Sequence, residues 1–207
     1  MRTHSREFQN SFTPEDALQV LKEGNERFVR NLKANRNLLQ QVNETAEGQY
    51  PFATILSCMD SRTSAELIFD QGLGDIFSIR VAGNILNDDI LGSMEYATEV
   101  VGTKLILVLG HTKCGAVTGA CNNVELGHLT GLLSKIKPAI DKETATSENR
   151  TGNNPEFLYN VTKLNVDNTI ERIRKESDII ARFENAGTIK IAGGIYDVEN
   201  GKVHFYE

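Results

Sequence analysis

Short apolar runs recur along the chain, and they set its architecture. Phe52-Ala53-Thr54-Ile55-Leu56 reads as a first buried strand. Asp75 to Val81 reads as a second, and Lys104 to Gly110 as a third with no polar alternation after Lys104. Thr188 to Tyr196 makes a fourth, and Asn200-Gly201 is a hairpin turn signal leading into Lys202 to Tyr206. Strands apolar on both faces suit a parallel sheet covered by helices. Helical spacing fills the intervals, at Ser64 to Asp70, at Leu91 to Val101, and from Cys114 to about Ala120. Further helices are predicted over His128 to Lys142 and over Glu156 to Asn185, with Gly187 as the stop. Thr144 to Pro155 is polar and reads as a loop. The alternation predicts an α/β fold: a central, mostly parallel sheet flanked by helices, with a C-terminal antiparallel hairpin at one edge.

One helix precedes the first strand. Thr13 can cap it, Pro14 suits its first turn, and Glu15 and Asp16 favour its positive end. Leu18, Leu21, Phe28 and Leu32 then repeat at helical spacing, a stripe that needs a surface to cover. A neighbouring subunit is one candidate. Residues 1–40 are therefore expected to form an N-terminal helical arm, and 41–207 a single α/β domain.

Composition narrows the function classes. The net charge of −6 and the absence of a long Lys/Arg cluster argue against a nucleic-acid or anionic-membrane partner. No apolar run approaches the roughly 20 residues of a membrane helix. The N-terminus shows no apolar signal core, so a cytoplasmic location is expected. Three cysteines are too few and too unevenly placed for a disulfide framework. They point to metal ligation or free thiols.

Two predicted strands run into potential metal ligands. The first leads into Ser57-Cys58-Met59-Asp60-Ser61-Arg62, the third into Gly110-His111-Thr112-Lys113-Cys114-Gly115. Ligand sites in open parallel sheets lie outside the carboxyl ends of the strands, so the sheet can join these distant segments. Cys58, Asp60 and Arg62 share one side of an extended chain. His111 and Cys114 can face one point at a helix start, where the N-terminus favours a thiolate. Cys58, His111 and Cys114 offer two sulfurs and one nitrogen, a set that suits one Zn2+ and leaves a fourth position open. With water there, zinc supplies hydroxide near neutral pH; with Asp60 there, the site is closed. Arg62 can grip the Asp60 carboxylate through two parallel hydrogen bonds and hold it off the metal.

Cys58-Met59-Asp60-Ser61-Arg62 with His111-Thr112-Lys113-Cys114-Gly115 resembles the paired motifs of β-class carbonic anhydrases. The resemblance extends through Gln71 to Asp75, Arg80 to Asn84, Gly92 to Ala97 and Gly193 to Asp197. It implies zinc-dependent interconversion of carbon dioxide and bicarbonate, with Cys58, His111 and Cys114 on zinc and Asp60 and Arg62 as a catalytic dyad. It implies that Gln49 hydrogen-bonds substrate or product, that Phe77, Ala82 and Tyr96 line a small apolar pocket, and that Gly115 offers a backbone N–H. It further implies a homodimer or tetramer, with the site at the dimer interface and the N-terminal arm packed on the partner. Two alternatives remain open: a same-fold hydrolase of carbon disulfide or carbonyl sulfide, and a non-catalytic module with a closed structural zinc. The chain has no tryptophan, so the non-catalytic bicarbonate site of one subclass is not intact, and Arg80 and Tyr196 read as structural. Cys121 reads as a buried free thiol, His4 as a solvated side chain in a polar tail, and Asp75 and Arg80 as members of structural ion pairs.

Overall fold

The computed structural model describes residues 3–206. In chain order the elements are helices α1 (Arg6–Ser11), α2 (Pro14–Val29) and α3 (Leu38–Glu44), strand β1 (Ala53–Ser57), α4 (Ala65–Ile68), β2 (Ile76–Arg80) and α5 (Asp88–Glu95). There follow β3 (Leu105–His111), α6 (Gly115–Cys121), α7 (Gly127–Leu133), α8 (Lys137–Lys142), α9 (Pro155–Glu176), α10 (Asp178–Asn185), β4 (Lys190–Tyr196) and β5 (Val203–Tyr206). A 3-10 turn at Ala82–Asn84 follows β2, and a π-helical turn at Tyr96–Val101 extends α5.

The sheet order is β2-β1-β3-β4-β5. All neighbours are parallel except β4 and β5, which are antiparallel. The mostly parallel sheet with an antiparallel C-terminal pair is therefore as expected. Central strands β1 and β3 are buried at every position, and the edge strand β2 alternates. Period-two burial sorts the core into two layers. Ile55, Leu105, Leu107 and Ala192 face α2 and α4; Leu56, Ile106, Val108 and Ile191 face α5, α9 and α10. From β1 the chain runs outward to β2 on one side, then crosses back over β1 to β3 on the other. Such a divergence opens a crevice at the carboxyl ends of β1 and β3.

α2 begins as the sequence predicts. The Thr13 hydroxyl accepts from the Asp16 amide while the Asp16 carboxylate accepts from the Thr13 amide, a reciprocal cap. Its stripe meets the chain's own sheet: Ala17, Leu18 and Leu21 are buried against Phe52, Ile55 and Phe69. This inner part of the stripe needs no partner surface, whereas Leu32 stays exposed beyond the helix end. Gly24 permits the approach, because a Cβ there would lie 1.8 Å from the Phe69 carbonyl oxygen. The connection is pinned by Asp70, which accepts from Arg27 at 2.6 Å, from Arg36 at 2.6 Å and from the Ala34 amide.

Several expectations change. The helix predicted over Glu156 to Asn185 is two helices, because the Ser177 hydroxyl caps α10 by accepting from the Ile180 amide and itself donates to Glu95. The segment predicted over His128 to Lys142 also divides, with Pro138 in the first turn of α8. α1 and α3 were not anticipated, and residue 40 falls inside α3. His4 is not solvated: its ring packs on Phe8, Phe12 and Phe52, and desolvation lowers its pKa. Asp75 lies 3.8 Å from His4 and accepts from the Gly72 amide, while Arg80 donates to two backbone carbonyls rather than to a carboxylate.

Gly24→Ala tests the packing of α2. The added methyl has no room, so the variant is expected to lose about 3 kcal/mol, the upper end for overpacking, in urea unfolding. An unchanged midpoint would mean that α2 does not pack on Phe69.

Candidate metal centre

The crevice gathers the predicted ligands. Cys58 leaves the end of β1, His111 is the last residue of β3, and Cys114 sits at the cap of α6. Parallel pairing of β1 with β3 makes the two strand ends neighbours. The ligand atoms of Cys58, His111 and Cys114 lie within 4.8 Å of one another, and all three residues are buried. The two sulfurs are 3.9 Å apart, and neither is in a disulfide.

Each donor is held by a second contact. The His111 Nδ1–H donates to the Thr112 carbonyl at 2.9 Å, which leaves the Nε2 lone pair facing the sulfurs. That Nε2 is buried with no hydrogen-bond partner. An orphaned buried nitrogen beside two buried thiols is costly unless a cation completes the set. The Gly83 amide donates to Cys58 Sγ at 3.4 Å, from a backbone with φ of 69° that favours glycine. The Gly83 carbonyl in turn accepts from the Asn165 side chain at 2.9 Å, so α9 supports the centre.

The thiols polarise one another. The Cys114 S–H bond holds the Cys58 thiol down to about 4, with further help from His111 and Gly83. Cys114 is pushed up by the same bond and by burial, against the Ala116 and Val117 amides, which favour its thiolate. Two soft sulfur donors and one imidazole fit zinc and leave one position for a non-protein group.

Asp60 stands at the mouth. Its Oδ1 accepts from Arg62 Nε at 2.9 Å and from the Arg62 amide at 3.0 Å, and its Oδ2 accepts from Arg62 Nη2 at 2.7 Å. This fork holds the carboxyl well below the usual carboxylate range. Asp60 Oδ2 is 3.9 Å from His111 Nε2. The carboxylate is thus close to the donors yet committed to Arg62.

The substrate residues fall in two groups. Gly115 opens α6 with free space around its Cα, and Ala82 adjoins Gly83 at the Cys58 sulfur. Phe77 and Tyr96 lie elsewhere, in a groove of about 580 Å³ beside edge strand β2 that includes no metal ligand. Gln49 is exposed before β1, near Leu73 and Gly74 at the opposite end of the sheet from Cys58. At roughly 3.3 Å per residue, a five-residue strand separates it from the centre of its own chain. Cys121 is a buried thiol outside the ligand set, its pKa raised to about 11 by desolvation. His128 and His204 are exposed.

Sequence reasoning missed Thr63, Asn165 and the work of Arg80. Asn165 carried one usable signal: a buried amide on the apolar face of a long helix, which must find a partner.

Metal-free protein at pH 7 is expected to hold one ionised thiol, shared by the Cys58–Cys114 pair and read from its ultraviolet thiolate absorbance. The folded thiolate is favoured over the unfolded thiol of about 8.5, so its contribution to stability is complete above that value. It is lost as pH falls toward about 4. Replacing both Cys58 and Cys114 by Ser should abolish the signal; a thiolate that persists would contradict the assignment to this pair.

A family model described as carbonic anhydrase matches residues 53–203. Carbonic anhydrase 2 of Mycobacterium tuberculosis is 36% identical over 197 residues, with 91% of each chain covered. The carbonic anhydrase of Mycolicibacterium smegmatis is 34% identical, with 92% of each covered. Among solved structures, the β-carbonic anhydrase CafA of Aspergillus fumigatus superposes with a TM-score of 0.73 at 26% identity, over 93% of this chain and 90% of that one. A tetrameric β-carbonic anhydrase of Sordaria macrospora shares the fold at a TM-score of 0.69 and 24% identity, over 79% of this chain and 84% of that one. With its ligand triad at the strand ends and an Arg-clamped aspartate beside it, the chain belongs to the carbonic anhydrase family, in the β class.

Proposed function

We propose that this carbonic anhydrase hydrates carbon dioxide reversibly to bicarbonate and a proton, with one zinc held by Cys58, His111 and Cys114. The observation that carries this reading is the buried, unpartnered His111 Nε2 between two thiols, next to a carboxylate that Arg62 holds away. A permanently closed structural site needs no such clamp. Zinc(II) bound there supplies Lewis acidity that makes water a nucleophile near neutral pH, a behaviour for which carbonic anhydrases are the best-known case.

The chain's own residues supply the rest. Asp60 stays ionised across the physiological range because Arg62 stabilises its charged form. Its Oδ2 would accept a hydrogen bond from the O–H of the reacting water and so fix the direction of the oxygen lone pair. Arg62 positions Asp60 through its fork. The Gly115 N–H is available to an oxygen of the substrate or product. Carbon dioxide is small and uncharged, so a modest apolar wall suffices, and Ala82 provides part of it.

Phe77, Tyr96 and Gln49 lie away from the ligands of their own chain, which supports assembly. Phe77 of the partner subunit, Tyr96 of the partner subunit and Gln49 of the partner subunit would complete the pocket in a homodimer or tetramer. Tyr96 is 54% exposed in one chain and shares the groove along β2 with Phe77.

Stopped-flow hydration assays on metal-quantified protein test this directly. One zinc per chain and a fall of about 10²–10⁴-fold in kcat for Asp60→Ala are expected. Full activity without zinc, or one zinc per chain with no hydration at any pH, would overturn it. Sedimentation should give a dimer or larger species; a fully active monomer would contradict the shared pocket.

A further inference from the structure

Arg80 is spent in an unusual way. It is the last residue of β2 and an exposed arginine, free to point into solvent. Instead its guanidinium turns back over the loop that follows β1. Nε donates to the Cys58 carbonyl at 3.2 Å, and Nη2 donates to the Asp60 carbonyl at 2.6 Å. One rigid fork therefore spans the backbone of a metal ligand and the backbone of the dyad acid.

Thr63 closes the same loop from below. Its hydroxyl lies 3.0 Å from the Cys58 carbonyl and 2.9 Å from the Asp60 carbonyl, and its amide donates to the Asp60 carbonyl at 3.0 Å. The Thr63 side chain belongs to the loop itself, whereas Arg80 ties it to the neighbouring strand. Without Arg80, the two carbonyls keep only contacts that move with the loop.

The loop position matters because Asp60 has two competing partners. Arg62 now holds it, yet Asp60 Oδ2 is already 3.9 Å from the nitrogen that faces the metal position. To exchange one partner for the other, the carboxylate must leave the Arg62 fork and move toward His111, a movement that the position of the 58–62 backbone controls. Charged carboxylates bind zinc well, so nothing in the donor chemistry opposes that exchange.

We propose that Arg80 is a positioning residue: by bridging the Cys58 and Asp60 carbonyls it keeps Asp60 on Arg62 and the fourth metal position open. This rests on the zinc-enzyme reading and adds to it a residue that touches neither metal nor substrate. It acts through backbone carbonyls, and Arg80→Lys, which keeps the charge but not the fork, separates geometry from charge.

Cobalt-substituted protein supplies a readout besides activity. Anion binding at an open position changes the visible spectrum, so thiocyanate titration reports whether that position is free. Wild type should respond. Arg80→Met, which keeps the stem and removes the fork, should retain one metal per chain but bind thiocyanate at least tenfold more weakly. Arg80→Met combined with Asp60→Ala should regain the response, because no carboxylate remains to close the site, and should not regain hydration activity. A merely structural role for Arg80 predicts no such rescue. Should Arg80→Met fail to fold, Arg80→Lys, with one point donor for two carbonyls, should show the same weakening in smaller degree and the same rescue. An Arg80 variant that binds thiocyanate as wild type does, or a double variant that stays unresponsive, would overturn the positioning role alone. A wild-type cobalt site unresponsive to anions would overturn the open-site reading and this proposal with it.

Discussion

The parallel pairing of β1 with β3 is the constraint on which the centre depends. Residue-by-residue register from Ala53↔Leu105 to Ser57↔Leu109 brings two chain segments more than fifty positions apart to one crevice. Only then can a sulfur that follows β1 face an imidazole that ends β3. The register is held by burial on both faces, since shifting either strand by one residue would turn its apolar set the wrong way. Hydrophobic packing thus fixes the ligand geometry, and the metal donors are presented as a consequence of the core.

Electrostatics then divides the work. Within the crevice, two thiols compete for one proton and an imidazole nitrogen lacks a partner, so positive charge is called for. At the rim, Asp60 supplies negative charge that Arg62 both neutralises and orients. Supports reach the centre from three elements: Gly83 after β2, Asn165 on α9 and Arg80 on β2. Supporting contacts of this kind hold metal ligands in place before binding, which reduces the reorganisation that binding requires.

Much of this was legible in the chain because its signals are local. The apolar runs at β1 and β3, the Thr13 cap and the motif spacing each act within a few residues. What was hidden depends on long-range contacts. Ser177 breaks a helix whose periodicity continues through it, since its hydroxyl serves both α10 and Glu95. His4 sits in a polar stretch, and only the fold reveals Phe52 beneath it. Arg80 has no local partner pattern at all, because its acceptors are backbone carbonyls on another strand's loop. Gln49, Phe77 and Tyr96 were expected at the site from the resemblance, yet one chain leaves them outside its own crevice; roles carried over from an assembly need not be visible in a monomer.

The most direct test is X-ray absorption at the zinc edge of protein purified with its native metal. The account predicts two sulfur scatterers at about 2.3 Å and two nitrogen or oxygen scatterers at about 2.0–2.1 Å, one of them exchangeable by added anion. A single sulfur, a third sulfur from Cys121, or a fourth ligand that no anion displaces would contradict it.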